Sequence, residues 1–316
     1  MVNGSALGAG LAGRATGAAA GLLADRLLGE PRFSPHPVSA FGSAMAALER
    51  HVWRDDRLAG VLHAATGTGV GLAAGVVMRS VLGAGLPSTA AATYLCVAGR
   101  GLADAATGVA AAVETGDLDQ ARARLPALVG REPDDLDEKE IIRAVVESVA
   151  ENTVDAVVAP LLWAAAAGAP GVLGHRAVNT VDAMIGQRSA RYRRYGWAGA
   201  RLDDAAAWVP ARVTAAAVAA VRPCSASAVW NAVRHDAPRH PSPNAGVAEA
   251  AFAAALGLRL GGDSRYGDRV ETRPPLGLGR PPELADVGEA VRLASHVGTA
   301  VAVAVVAIGL TRSRRR

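Results

Sequence analysis

The chain of 316 residues is 51% hydrophobic but only 4% aromatic, and 33 basic against 29 acidic side chains leave a formal net charge of +4. Lys139, its only lysine, follows Glu138 and not a glycine, which excludes a Walker P-loop; Cys96 and Cys224 are too few for a disulfide framework or a thiolate metal site. The isoelectric point near 9.6 does not point to nucleic acid, because the arginines alternate with acids and no basic run carries interleaved aromatics.

Residues 7–24 form an apolar, glycine-rich segment interrupted by Arg14. No positive charge precedes it, so it reads as a membrane helix with a buried or snorkelling arginine and not as a secretory signal. The loop DRLLGEPRFSPHPV follows, and in it His36 stands between two prolines in an extended stretch, a candidate ligand contact. Segments 59–78 and 81–99 are uncharged and about long enough to cross a bilayer. Only Arg79 and Ser80 separate them, which predicts a helical hairpin. GTGVGL at 67–72 fails the dinucleotide pattern at its last position and reads as small residues packing helix on helix.

Residues 100–152 read as soluble-looking helices, with Asp117 and Asp119 opening one and Asp134 or Asp135 capping another that begins near Leu136. Within the second, Arg143, Glu147, Glu151 and Asp155 recur every four residues and share one helical face, opposite an apolar stripe of Ile141, Ile142, Val145, Val146 and Val149. Past Asp155 the helix becomes apolar all round, so the carboxylates mark a boundary between a polar region and a core or bilayer. Three acids within two turns repel one another unless cations neutralise them. They are either a solvated face or an oxygen-only site of the kind that suits Mg²⁺ with a substrate phosphate. Two further polar clusters, Asn179 with Asp182 and Asp203 with Asp204, lie near Arg176, Arg188, Arg201 and Arg212 and favour a shared site.

Segment 154–174 is apolar for a span's length but is broken by GAPG at 168–171, so it either crosses with a kink or turns back as a re-entrant pair. Segment 205–221 carries Pro210 and Arg212 and is expected to lie partly in the interface, with Asp203 and Asp204 as alternative caps of a helix starting near Ala205. Residues 222–292 are polar and proline-rich without strand-like alternation and read as loop, helix, loop. A last apolar helix covers 295–310. Arginines flank both sides of 154–174, so the positive-inside rule does not close and at least one apolar stretch is expected not to cross. The expected fold is all-α, a polytopic integral membrane protein with polar helical loops.

The strings GEPRFSPHPV, GREPDDLDEKEIIRAVVESVAENTVDAVVAP, AVNTVDAMIG, RYRRYGWAGARLDDAAAWVPARVTA, SPNAGVAEAA and RPPLG together resemble the CobD/CbiB membrane proteins of cobalamin biosynthesis, the adenosylcobinamide-phosphate synthases. The likeness runs in order from about Asp25 to Leu310. The chain departs from the family pattern at Glu132, Pro133, Ala156, Gln187, Ser189, Ala190, Val247 and Ala248. The lost acid at 190 takes that loop out of a catalytic role. The resemblance implies one membrane domain over 1–316, multi-pass in the inner membrane. The reaction it implies joins the free propionate of adenosylcobyric acid to (R)-1-amino-2-propanol or its O-phosphate, using ATP and Mg²⁺. Lipid, the corrinoid and the amine are its implied partners, with other enzymes of the pathway as possible ones and nucleic acid excluded.

Amide formation needs an activated carboxylate, a neutral amine, and groups that neutralise a transferring phosphoryl. On charge type and position, Glu147, Glu151 and Asp155 with Asn179 and Asp182 are expected to hold Mg²⁺ and phosphate, with Glu151 also counted as catalytic. Asp203 or Asp204 would orient or deprotonate the amine. Arg143, Arg201 and Arg212 are expected to contact phosphate or the corrin side chains, and His36 and Asn244 to help bind the corrin. A non-catalytic signalling or transport protein, related to AmpE, is the alternative reading; intact acidic clusters and the lack of an inverted repeat favour the enzyme.

Overall fold

Alanine-rich and leucine-rich runs carry little side-chain entropy cost in a helix, and helices make up most of the chain. The computed structural model describes residues 4–31, 33–129, 136–187, 189–266 and 269–314. In chain order they form α1 (Gly4–Leu28), α2 (Pro37–Val52), α3 (Arg57–Leu82), α4 (Leu86–Cys96), α5 (Gly99–Glu114), α6 (Leu118–Arg124), α7 (Glu138–Thr153), α8 (Ala159–Ile185), α9 (Trp197–Val221), α10 (Ala226–His235), α11 (Ala245–Leu256), β1 (Leu260–Tyr266), β2 (Arg269–Leu276) and α12 (Leu284–Arg314). A π-helical turn, Val154–Val158, joins α7 to α8.

Among the described residues, five helical stretches are long and apolar enough to cross a membrane: Arg57–Leu82, Leu86–Glu114, Glu138–Ile185, Trp197–Val221 and Leu284–Arg314. They fit the all-α, multi-pass expectation; α1 is helical as expected but is not one of the five. The chain divides into two units. Met1–Ala98, Ala159–Ala207 and Ala302–Arg316 form the first, and Gly99–Val158 with Trp208–Val301 the second.

In the first unit, α1, α3 and α4 pack around α8. Glycines let the backbones approach: a Cβ on Gly21 would lie 2.5 Å from Thr93 Cβ of α4, and one on Gly71 would lie 2.6 Å from Ala177 Cβ of α8. This is the small-residue packing expected of GTGVGL. The hairpin of α3 and α4 is present, but its turn is Gly83–Gly85 and not Arg79–Ser80. Gly83 and Gly85 supply the positive φ values, 84° and 89°, that end α3 and restart the chain.

Segment 154–174 is not a straight rod. At Gly168 the backbone leaves helical geometry (φ 68°, ψ −150°). A Cβ on Gly171 would then lie 2.5 Å from the Trp163 carbonyl oxygen. The Trp163 and His175 rings stack at 6.4 Å. In an unbroken helix residues 163 and 175 would be about 18 Å apart. The chain therefore doubles back, as the re-entrant alternative required.

In the second unit, α7 packs on α5 and α11, α10 packs on α11, and β2 lies against α11. The stripe Ile141, Ile142, Val145, Val146 and Val149 is buried as its periodicity demanded. Asp134 and Asp135, the caps expected for this helix, lie outside the described residues. Asp137 caps it, accepting from Glu140 N at 2.8 Å while Glu140 returns a bond to Asp137 N at 3.0 Å. Asp117 does cap α6. The absence of strands expected over 222–292 is overturned: β1 and β2 form an antiparallel hairpin whose register slips between Leu260 and Gly262. The glycines, prolines and charges there hide the alternation, and pairing is fixed by the partner strand.

Candidate functional site

In the first unit, α8 and α9 present the polar groups. Arg176, Asn179 and Asp182 fall on the limb of α8 after the Gly168 turn, and α9 packs beside it, with a Cβ on Gly199 3.4 Å from Val181 Cγ1. Asn179 Nδ2 donates to Asp203 Oδ1 at 3.3 Å, and Arg201 pairs with Asp204 at 3.8 Å. Because α9 starts at Trp197, both aspartates lie well inside the helix. The alternative that they cap a helix starting near Ala205 therefore falls, and the segment expected at 205–221 is the later part of a helix that begins at Trp197. Asp182 O accepts from Gly186 N at 2.7 Å where α8 ends.

His36 caps α2: its Nδ1 accepts from Val38 N at 3.3 Å. Asp25, which the sequence placed in the loop DRLLGEPRFSPHPV without a role, lies in the last turn of α1 and is 0% exposed. The loop after α8 is a brace. Arg191 donates to Glu49 Oε1 at 3.0 Å and lies 4.5 Å over the Trp53 ring, while Tyr192 Oη donates to the same carboxylate at 3.0 Å. The Glu49 hydrogen bond holds the Arg191 guanidinium above its usual pKa. Burial, reinforced by Glu49, pushes Tyr195 up to about 12, and its hydroxyl lies 2.6 Å from His63 Nδ1.

In the second unit, Arg143 and Glu147 grip one residue of the β-hairpin. Gly261 N donates to Glu147 Oε1 at 2.9 Å, and Arg143 Nη1 donates to Gly261 O at 2.9 Å. Glu147 is only 2% exposed, with Arg143 3.9 Å away. Glu151, one turn on, is exposed, and Asp155 is half-buried in the π-helical turn. Arg212 donates to Asn244 Oδ1 at 2.9 Å and lies 4.5 Å over the Trp208 ring. A buried ionic set completes this unit: Glu249, 0% exposed, has His240 Nε2 at 3.7 Å and Arg273 Nη1 at 3.9 Å. Sequence reasoning missed it, although Glu249 is the only charge in the apolar α11.

Among the described residues, no group of three or more His, Cys, Asp or Glu side chains is placed to hold a metal by itself. The donors are all oxygens, and the pair Glu151 and Asp155 is the number of carboxylates that Mg²⁺ takes when substrate phosphates complete its shell. The residues fit Mg²⁺ on that condition. Glu147, engaged with Gly261, is the least suited of them.

The profile described as CobD/Cbib protein matches residues 18–294. Cobalamin biosynthesis protein CobD of Mycobacterium tuberculosis (strain ATCC 25618 / H37Rv) is 47% identical over 307 residues, 96% of this chain and 97% of that protein. The proteins of the same name from Pelobacter propionicus and Rhodobacter capsulatus are each 42% identical, covering 81% and 82% of this chain and 83% and 84% of theirs. No solved structure matches.

Proposed function

The chain belongs to the CobD/CbiB family, and from that premise we propose that it acts in cobalamin biosynthesis as an ATP-dependent amide-forming ligase of the inner membrane. It joins the free propionate of adenosylcobyric acid to (R)-1-amino-2-propanol or its O-phosphate. The observation that supports this most directly is the pair of aspartates inside α9, one bonded to Asn179 and the other beside Arg201. Carboxylates inside a helix of membrane-spanning character are costly unless they have work to do.

The Asn179 amide orients Asp203. Asp204 is then the group that takes a proton from the substrate ammonium, so that the neutral amine attacks the propionate activated by ATP as an acyl phosphate; the amide C–N bond forms as the acyl C–O bond breaks and phosphate leaves. Arg201 and Arg212 supply guanidinium groups for phosphate or for the acid and amide side chains of the corrin, and Asn244 holds Arg212 in place. In the second unit, Glu151 and Asp155 would hold Mg²⁺ together with substrate phosphate. When bound, the ion neutralises charge on the phosphoryl group of ATP.

The test is metabolic. Deleting the gene should leave cells that accumulate cobyric acid and regain cobalamin when fed cobinamide. Rescue by cobyric acid as well would place the lesion earlier and sink the reading.

A further inference from the structure

One end of the first unit carries arginines and no acids. Gly13 of α1 packs against the α3–α4 turn, where a Cβ would lie 3.4 Å from Gly85 Cα, and Gly309 of α12 packs on Ala15, at 2.8 Å by the same measure. Arg14, Arg79 just before the turn, and Arg312 and Arg314 just past Gly309 therefore share this end. Among the described residues, the stretches 4–24, 57–98, 159–181 and 302–314 of this unit contain no Asp or Glu side chain.

Arg14 reaches inward. Its Cδ lies 3.2 Å, and Thr89 Oγ1 lies 3.3 Å, from the point where a Cβ on Gly168 would stand. Its Nε is buried with no hydrogen-bond partner among the described residues, and so is the Thr89 hydroxyl, whose residue is 1% exposed. A buried polar group without a partner costs about 1–3 kcal/mol, and two of them at one point call for a ligand. Beside them α4 begins at Leu86 with no side chain capping its first turn, which leaves first-turn N–H groups open to an acceptor. Val81, Leu82 and Leu86 expose apolar surface at this level. A free phosphate has no use for that surface; the acyl chains below a lipid phosphate do.

From this convergence we infer that the end of the unit marked by the α3–α4 turn binds the phosphate of an anionic membrane lipid. Arg14 and Thr89 are the inner contacts, and Arg79, Arg312 and Arg314 form an outer ring of charge. The inference is independent of the proposed ligase reaction.

The test uses the full chain, purified in detergent and delipidated. Dioleoyl-phosphatidylglycerol or dioleoyl-phosphatidylcholine is added in mixed micelles, and bound lipid is counted by native mass spectrometry. Phosphatidylglycerol should bind in preference, and Arg14→Gln should weaken it about tenfold, the scale of one lost hydrogen bond to a charged group. Thr89→Val should weaken it less, and Arg79→Gln least. Millimolar inorganic phosphate should not compete. Arg14→Gln removes an unpaired charge, so it should fold at least as well as the parent in lipid-free micelles, which keeps the comparison readable. Unchanged affinity in Arg14→Gln would overturn the inference. So would an equal loss in Arg79→Gln, which means diffuse charge alone, or full competition by inorganic phosphate, which means a soluble anion.

Discussion

Asn179 on α8 donates its side-chain amide to Asp203 on α9 at 3.3 Å, and so ties two helices together through the group that immediately precedes Asp204. Neighbours on a helix point about 100° apart, so the two aspartates face different surroundings. Asp203 is occupied by an amide, and Asp204 lies one turn past Arg201.

That division predicts unequal variants. Asp204→Asn should lower the rate at saturating amine by about 10²–10⁴-fold, the usual cost of a lost general base. Asp203→Asn should act mainly through orientation and cost less. Neither residue caps a helix, so the midpoint of thermal unfolding should scarcely move. Near-normal rates in both variants would remove these aspartates from the chemistry.

Glu151→Gln and Asp155→Asn keep shape and remove the charge expected to hold Mg²⁺. Both should abolish amide formation while leaving expression and membrane insertion intact. Partial activity that returns at high Mg²⁺ would still support the assignment. Wild-type turnover at ordinary Mg²⁺ in both would not.

The grip on Gly261 gives a third expectation. Gly262 has φ 102°, and a Cβ there would lie 2.5 Å from Arg143 Nη1. Gly262→Ala should therefore loosen the hairpin and raise amide hydrogen exchange in 258–276. Glu147→Ala leaves the half-buried Gly261 N–H without its acceptor and should cost about 1 kcal/mol. Glu147→Gln keeps an acceptor oxygen and should cost less. Equal exchange in all three variants would show that the grip does not hold the hairpin.

Glu249 lies between His240 and Arg273 in full burial. Removing one member of a buried ionic set leaves the others uncompensated, typically at about 3–5 kcal/mol. Glu249→Ala should lower the unfolding midpoint in detergent by far more than any surface change on α10. A shift within the error of the parent would mean that water reaches the site.

The whole chain should sediment with membranes and require detergent for release, given its five apolar helical stretches. Active protein in a high-salt soluble fraction would contradict the multi-pass reading.

Much was legible from the residues alone, because local rules govern it. Apolar runs of membrane length, the buried stripe of α7 and the Asp117 cap all depend on neighbours within two helical turns. The family strings were legible for another reason, being long and in order. What required the tertiary structure was non-local. GAPG allowed both a kink and a reversal, and the packing of Gly171 and His175 on Trp163 decided for reversal. The hairpin at 260–276 has no alternation to read, since its strands are specified by each other and by Arg143 and Glu147, more than a hundred residues earlier. Glu249 drew no reading from the sequence, because His240 and Arg273 come beside it only on folding. Spacing along one helix finds groups that share a face; groups joined across elements become visible only when the backbone has placed them.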